Sequence, residues 1–235
     1  MAAFFDKLSA LYREFGPAAG SLYLADRLLQ SVSPSMRIFV YELMVQPIQH
    51  TSHREMRALK AFEYREIRPG DAELAAMPVP RAVIDARFEQ GAICLGTFKQ
   101  QRFVGYMWFA FKAYEEDEVR CTYALVPSSE SVFDFDLYIF PEFRMGLAFV
   151  AIWQGGIAFL MSRGVRQSFS RLTRFNVASR RAHQHLGWKL VARAVTLRLW
   201  RFECMATTIY PYLSASMTRR PRLELRADVL RSASG

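Results

Sequence analysis

The run VFDFDLYIFPEFRMGLAFVAIW, residues 132–153, constrains this chain more than any other segment. Its first nine residues alternate with period two, which predicts a strand over 132–140 that stops at Pro141. An apolar stretch follows, interrupted by Gln154 and two glycines, and predicts a buried helix over 146–162. It falls short of the ~20 residues that cross a bilayer, so no transmembrane segment is expected. A strand, a turn carrying Arg144 and Gly146, and then a helix start form a local geometry that holds phosphate. Free N–H groups and the positive end of the helix dipole face the anion, and glycine allows close approach. The alternation places Phe133, Phe135, Leu137 and Ile139 on one side and Asp134, Asp136, Tyr138 and Phe140 on the other. Two carboxylates on one strand face are either wet or functional. In the functional reading one of them is a general base at the rim of a cleft.

The rest of the chain supplies partners for that unit. Residues 64–69 read as a strand ending at PGD, with Asp71 capping a short helix and another helix over 80–88. Residues 92–98 and 103–111 read as an antiparallel hairpin. The acidic run 115–118 reads as a loop. A strand over 166–173, a helix over 177–186 closed by Gly187, and strands over 189–194 and 196–202 complete the pattern. Hairpins and crossovers alternate, which predicts an α/β fold with a mixed sheet. Residues 1–60 read as an N-terminal helical and strand extension. It has an amphipathic first helix, a second helix capped by Ser21, a strand over 37–45, and a capping box at Ser52 and Glu55 that opens a short helix. Residues 61–204 form the core domain, and 205–235 a basic C-terminal tail. The extension either covers a sheet edge or forms a homodimer interface.

The chain has 235 residues and a net charge of +9. Residues 1–140 sum to −3 and residues 141–235 to +12, so the excess lies in the last third. An anion site around Arg144, Arg171, Arg174, Arg180 and Arg181 is one reading, and a solvated arginine-rich surface is the other. Cys94, Cys121 and Cys204 are odd in number and widely spaced. They suit no disulfide framework or metal site and fit a reducing cytoplasm. The first residues lack the long apolar core of a secretory signal. The tail lacks interleaved aromatics, so no nucleic acid is expected.

A second constellation is NVASRRAHQHLGW, residues 176–188. Asn176 sits at a strand-to-helix junction as a cap. Ser179 and His183 follow at helical spacing. Together, L-x-I-x-P-E-x-R with G-x-A, N-x-x-S-x-x-x-H-x-x-x-G-W, REIRPGD and FVGYMWF resemble, in order, the motifs of the GNAT superfamily of acyl-CoA-dependent N-acyltransferases. The resemblance covers residues 62–202. It implies a mixed sheet, centrally splayed and flanked by helices, with acetyl-CoA or another acyl-CoA in the wedge and no metal. Backbone groups of Tyr138, Ile139 and Phe140 would pair with the pantetheine arm. Amides of Arg144, Met145, Gly146, Leu147 and Ala148 would cradle the pyrophosphate, and Asn176 and Ser179 would approach from the far side. Either Phe143 or Arg144 holds the place of the family's Gln/Arg. The family's tyrosine, usually the acid that protonates the thiolate, falls on His183. Asp136 is the first choice for the base and Asp134 the second.

The function this implies is direct attack by an amine on the thioester. The acceptor is a small-molecule amine or a peptide amine. The acyl group is acetyl or, given 19 Phe, 10 Tyr and 4 Trp, a longer chain. A catalytically idle, ligand- or partner-binding module of the same fold is the alternative, motivated by the altered loop and the missing tyrosine.

Overall fold

Residues 36–47 lie in the middle of the main sheet. The computed structural model describes residues 2–49, 59–177, 179–180, 183 and 187–231. In it, strand β1 (Met36–Pro47) pairs antiparallel with β8 (Gln167–Thr173) on one side and β9 (Lys189–Leu199) on the other. Its sequence explains the placement. Ile38, Val40, Val45 and the aromatic Phe39 and Tyr41 favour a pleated strand, and a strand flanked on both edges has no free backbone groups to hydrate. The expectation of an extension beside the core is corrected for this segment, because its strand is structurally internal.

The remaining strands are β2 (Phe62–Ile67), β3 (Ile93–Lys99), β4 (Arg102–Phe111), β5 (Ala113–Glu115), β6 (Thr122–Val126), β7 (Ser131–Ile139), β10 (Phe202–Thr207), β11 (Leu213–Ser216) and β12 (Arg222–Arg226). The nine-stranded sheet runs β11-β10-β9-β1-β8-β7-β4-β3-β2, and a small sheet runs β12-β6-β5. Among the described residues, β7 with β8 is the one parallel pair of the large sheet. The fold is the mixed, helix-flanked α/β sheet expected. The predicted break at residue 195 is absent, since β9 runs through it, and the supposed tail supplies β11 and β12.

The helices are α1 (Ala2–Phe15), α2 (Pro17–Val32), α3 (Arg81–Glu89), α4 (Ala148–Ser162) and α5 (Asp228–Arg231). Proline at the first turn starts α2 after Gly16 at φ 78°, so Ser21 lies inside the helix and does not cap it. Buried Asp26 ties α2 to β1, accepting Ile38 N–H at 2.7 Å and Arg37 Nε at 3.1 Å. The capping box at Ser52 and Glu55 lies outside the described residues. Ile152, Trp153 and Leu160 of α4 are fully or nearly fully buried with Leu95, Met107 and Phe109. Each such side chain contributes about 2–3 kcal/mol. Gly155 lets α4 approach β2, because a Cβ there would stand 2.1 Å from the Tyr64 ring. On the opposite face, α3 and the small sheet, the latter through Tyr123 and Leu223, share a core with Trp108 and Phe133.

Removing residues 1–47 therefore takes out a strand bonded on both edges. We expect the shortened chain to lose its cooperative thermal transition by circular dichroism. A soluble chain melting within a few degrees of the full-length protein would contradict the internal role of β1.

Candidate functional site

The parallel ladder between β7 and β8 joins Ser131 to Gln167 and ends at Asp134 and Ser170. Beyond it the two strands separate. The cause is local to β7, whose register against β4 shifts between Tyr106 and Trp108, with Asp136 at φ 48°. A bulge adds a residue and turns the strand, and the left-handed conformation is tolerated by aspartate better than by most residues. The bulge also changes which side chains share a face. Phe133, Phe135 and Tyr138 join the core under α3, while Val132, Leu137 and Ile139 join the core under α4. The expectation that 133, 135, 137 and 139 face one way, and 134, 136, 138 and 140 the other, fails at this point. Asp134 and Asp136 point to opposite sides.

A cavity of about 380 Å³ occupies the opening. Asp134, Asp136, Tyr41, Arg171, Asn176 and His183 are among the residues that line it. Asp134 is buried, and its carboxylate accepts a short hydrogen bond from Ser168 Oγ of β8. Burial pushes its pKa up from the ordinary 3.8 to about 7, against the lowering effect of the Ser168 and Ser170 hydroxyls. Asp136 instead receives Arg87 Nη1 at 2.5 Å. Arg87 also donates to Asp117 at 2.6 and 2.8 Å and lies over the rings of Trp108 and Phe135. Arg87 is buried and the Asp136 side chain is half-buried, so this carboxylate is engaged by an ion pair rather than free. The pairing weighs against Asp136, the first choice of base, and in favour of Asp134, the second.

His183 is buried against Trp188 and Trp153. Its Nδ1 lies 2.6 Å from the Ser179 carbonyl, which can only accept, so Nδ1 carries the proton. Burial lowers its pKa, and the Ser179 carbonyl raises it by less. The ring is therefore neutral near pH 7, with Nε2 an acceptor. The acid expected at this position would therefore have to gain a proton before acting. Asn176 Oδ1 accepts Ser179 N–H at 3.0 Å, the cap predicted. Of the helix predicted over 177–186, residues 177, 179, 180 and 183 are helical, and the others lie outside the described residues.

Just past β7, Phe140 N–H donates to Val104 O at 3.0 Å, and Tyr138 faces Tyr106 in the ladder with β4. Alternation turns the N–H and C=O of Ile139 toward the open side. Of the three residues expected to offer backbone groups to a ligand, Ile139 is the one so placed. Its carbonyl accepts Arg144 Nε at 3.0 Å. The turn after β7 is exposed. Met145 is 99% accessible, Gly146 has no atom within 4 Å of its missing Cβ, Leu147 precedes α4, and Ala148 starts it. These residues fit an anion at the helix start.

The surrounding arginines are mostly engaged. Arg171 pairs with buried Glu116 at 2.9 Å and with Glu118 at 2.6 Å, stacked on Tyr41. Arg174 and Arg180 hold Glu42 at 2.9 and 3.0 Å. The side chain of Arg181 lies outside the described residues. Among the described side chains of the five expected at an anion site, Arg144 is the one exposed beside the turn. Arg87, Ser168, Tyr41 and Glu118 were not foreseen. The polar alternation of Ser168 and Ser170 within QSFSRLT was a usable signal for a strand facing a carboxylate. Nothing local marked Arg87, which lies 49 residues from Asp136.

No family model matches the chain, and no curated protein matches it. Among solved structures, a GNAT-family protein of Novosphingobium aromaticivorans DSM 12444, assigned as an acetyltransferase, is 12% identical with a TM-score of 0.48. The match covers 70% of this chain and 66% of that one. A GCN5-related glucosamine N-acetyltransferase region of a fungal multi-domain GH3 β-N-acetylglucosaminidase is 13% identical with a TM-score of 0.48. That match covers 71% of this chain and 22% of that one. AAC(6')-Iy in complex with the bisubstrate analogue CoA-S-monomethyl-acetylneamine is 16% identical with a TM-score of 0.38, over 54% of this chain and 89% of that one. At these scores the likenesses carry no argument about activity. The splayed sheet that the GNAT resemblance implied is read from the strand order and the β7–β8 ladder themselves.

Asp134 also sets a pH dependence of stability. Between about pH 4 and pH 7 the unfolded chain has lost this proton and the folded chain keeps it. Rising pH therefore lowers the stability contributed by this group, by about 1.4 kcal/mol per pH unit. Asp134→Asn keeps an acceptor for Ser168. We expect it to melt above the parent at pH 8, with the difference shrinking toward pH 4. A difference independent of pH would contradict the raised pKa.

Proposed function

We propose that this chain transfers an acyl group, acetyl in the simplest case, from acyl-CoA to an amine. The observation that carries the reading is the β7–β8 opening, because a cavity there is lined by a buried carboxylate, and the strand that bears it runs on through Ile139 to the exposed turn and helix start at residues 145–148. Ile139 supplies the strand-edge groups for the pantetheine arm once Arg144 swings off its carbonyl. Met145, Gly146, Leu147 and Ala148 supply the exposed turn and helix start for the pyrophosphate. Asn176 and Ser179 wall the far side. The amine nitrogen would bond to the thioester carbonyl carbon as the C–S bond breaks, and the proton that this nitrogen then sheds would leave with the sulfur as free CoA thiol.

Asp134 takes the proton that the attacking ammonium must lose. A base whose pKa lies near 7 is both unprotonated often enough and strong enough for that task. Asp136 holds Arg87 and shapes the opening. His183 orients through Nδ1 and presents Nε2 as an acceptor. The acceptor amine enters from a second cavity of about 450 Å³ that shares Glu118, Phe135, Asp136 and Arg171 with the first. Four carboxylates, Glu116, Asp117, Glu118 and Asp136, face two guanidiniums there, of Arg87 and Arg171. That balance favours a cationic amine. Pro78 and Pro80 stiffen its outer wall.

Release of free CoA from acetyl-, octanoyl- and palmitoyl-CoA in the presence of an amine panel tests the reading. We expect turnover whose kcat rises with an apparent pKa near 7. Asp134→Asn should lower kcat about 100-fold or more and flatten that limb. Absence of CoA binding by calorimetry would reject the function. Binding without turnover across the panel would favour the idle module.

A further inference from the structure

The outer edge of the large sheet carries a surface that the acyl-transfer reading does not use. Strand β11 pairs with β10 on one side only. Along this edge Trp200, Tyr210, Tyr212, Leu213 and Met217 are each between 62% and 78% exposed. Trp200 and Met217 stand at one end of the β10–β11 pair, and Leu213 with the two tyrosines at the other. Arg120 donates to the carbonyls of Arg201, Ser216 and Met217, which fixes the Trp200 turn against the Met217 turn. Leu213 faces Ala206 farther along the same ladder, with Tyr210 and Tyr212 in the connecting loop.

The charge on this edge has one sign. Between residues 199 and 223 the sequence holds Arg201, Arg219, Arg220 and Arg222 against a single acid, Glu203. Glu203 is buried and occupied by Arg198 and Arg120. Arg220 turns inward to the carbonyls of Glu116 and Cys121. Arg201, Arg219 and Arg222 are exposed, and among the described residues none of them lies within ion-pair distance of a carboxylate. Two copies of such an edge would bring arginines together, which disfavours self-pairing through β11.

We propose that this edge docks the protein on an anionic phospholipid surface. Tryptophan and tyrosine rings are suited to the headgroup boundary, where one end is apolar and the other wet. Leu213 and Met217 add aliphatic area with no use in stacking on nucleic-acid bases. The arginines meet the negative surface potential of anionic lipid. The partner is therefore identified by two chemistries found along one sheet edge, a shallow apolar layer under a negatively charged one.

The chain contains its own reporter. Of the four tryptophans, Trp108, Trp153 and Trp188 are buried and Trp200 is exposed. The full-length protein is floated with vesicles of phosphatidylcholine, with and without phosphatidylglycerol, and its emission is followed with acyl-brominated phosphatidylcholine as quencher. The proposal expects binding only when phosphatidylglycerol is present, and quenching that disappears in Trp200→Phe. Arg201→Gln with Arg219→Gln should lower the partition coefficient about 30-fold, with an unchanged melting temperature. Three results would overturn it. One is absence of vesicle binding. Another is binding that neither quenches Trp200 nor responds to the arginine changes. The third is a dimer, or an oligonucleotide complex, that is lost in Leu213→Arg while vesicles stay unbound.

Discussion

A parallel ladder that closes for four residues and then opens is the constraint on which the rest of the site depends. Strands β7 and β8 are joined from Ser131 to Asp134 and part at the bulge on Asp136. If β7 ran straight, Asp136 would sit on the same face as Asp134, and neither the cavity nor the separate roles of the two carboxylates would exist. Arg87 completes the arrangement. It bridges Asp136 and Asp117 from the α3 side, so the left-handed residue of the bulge is fixed by an ion pair as well as by the backbone.

The opening is supported from behind by β1. An opened parallel pair leaves β8 with one ladder, and β1 supplies it along the full length of β8. Glu42 on β1 then gathers Arg174 and Arg180 from the segment after β8, and Arg193 at 3.7 Å from β9. Much of the positive charge of the last third is spent in this way, on acids contributed by earlier parts of the chain. The charge asymmetry between residues 1–140 and 141–235 thus describes how the two parts bind each other. Among the described residues, its remainder includes Arg144 near the turn and the arginines of the outer edge.

The fold was legible where periodicity and punctuation agreed. The strand over 132–140, the helix after it, the hairpin over 92–111 and the cap at Asn176 all follow from local chemistry. The position of β1 did not, because nothing in RIFVYELMV distinguishes a central strand from one on an edge. The chemistry of the carboxylates was half legible. Period two put Asp134 and Asp136 together, and a one-residue bulge separated them. No local pattern announces such a bulge, because its cost is offset by an arginine 49 residues away. His183 was found by motif spacing, but its protonation depends on Trp153, Trp188 and the Ser179 carbonyl, which only the packing brings together.

The central claim is that acyl-CoA occupies the opening beyond Asp134. Amide hydrogen exchange of the full-length protein, with and without coenzyme A, tests it at single-residue level. The account predicts slowed exchange at Ile139 and at residues 146–148, where the strand edge and the helix start offer their N–H groups. Coenzyme A that binds while those amides exchange at their free rate would contradict it.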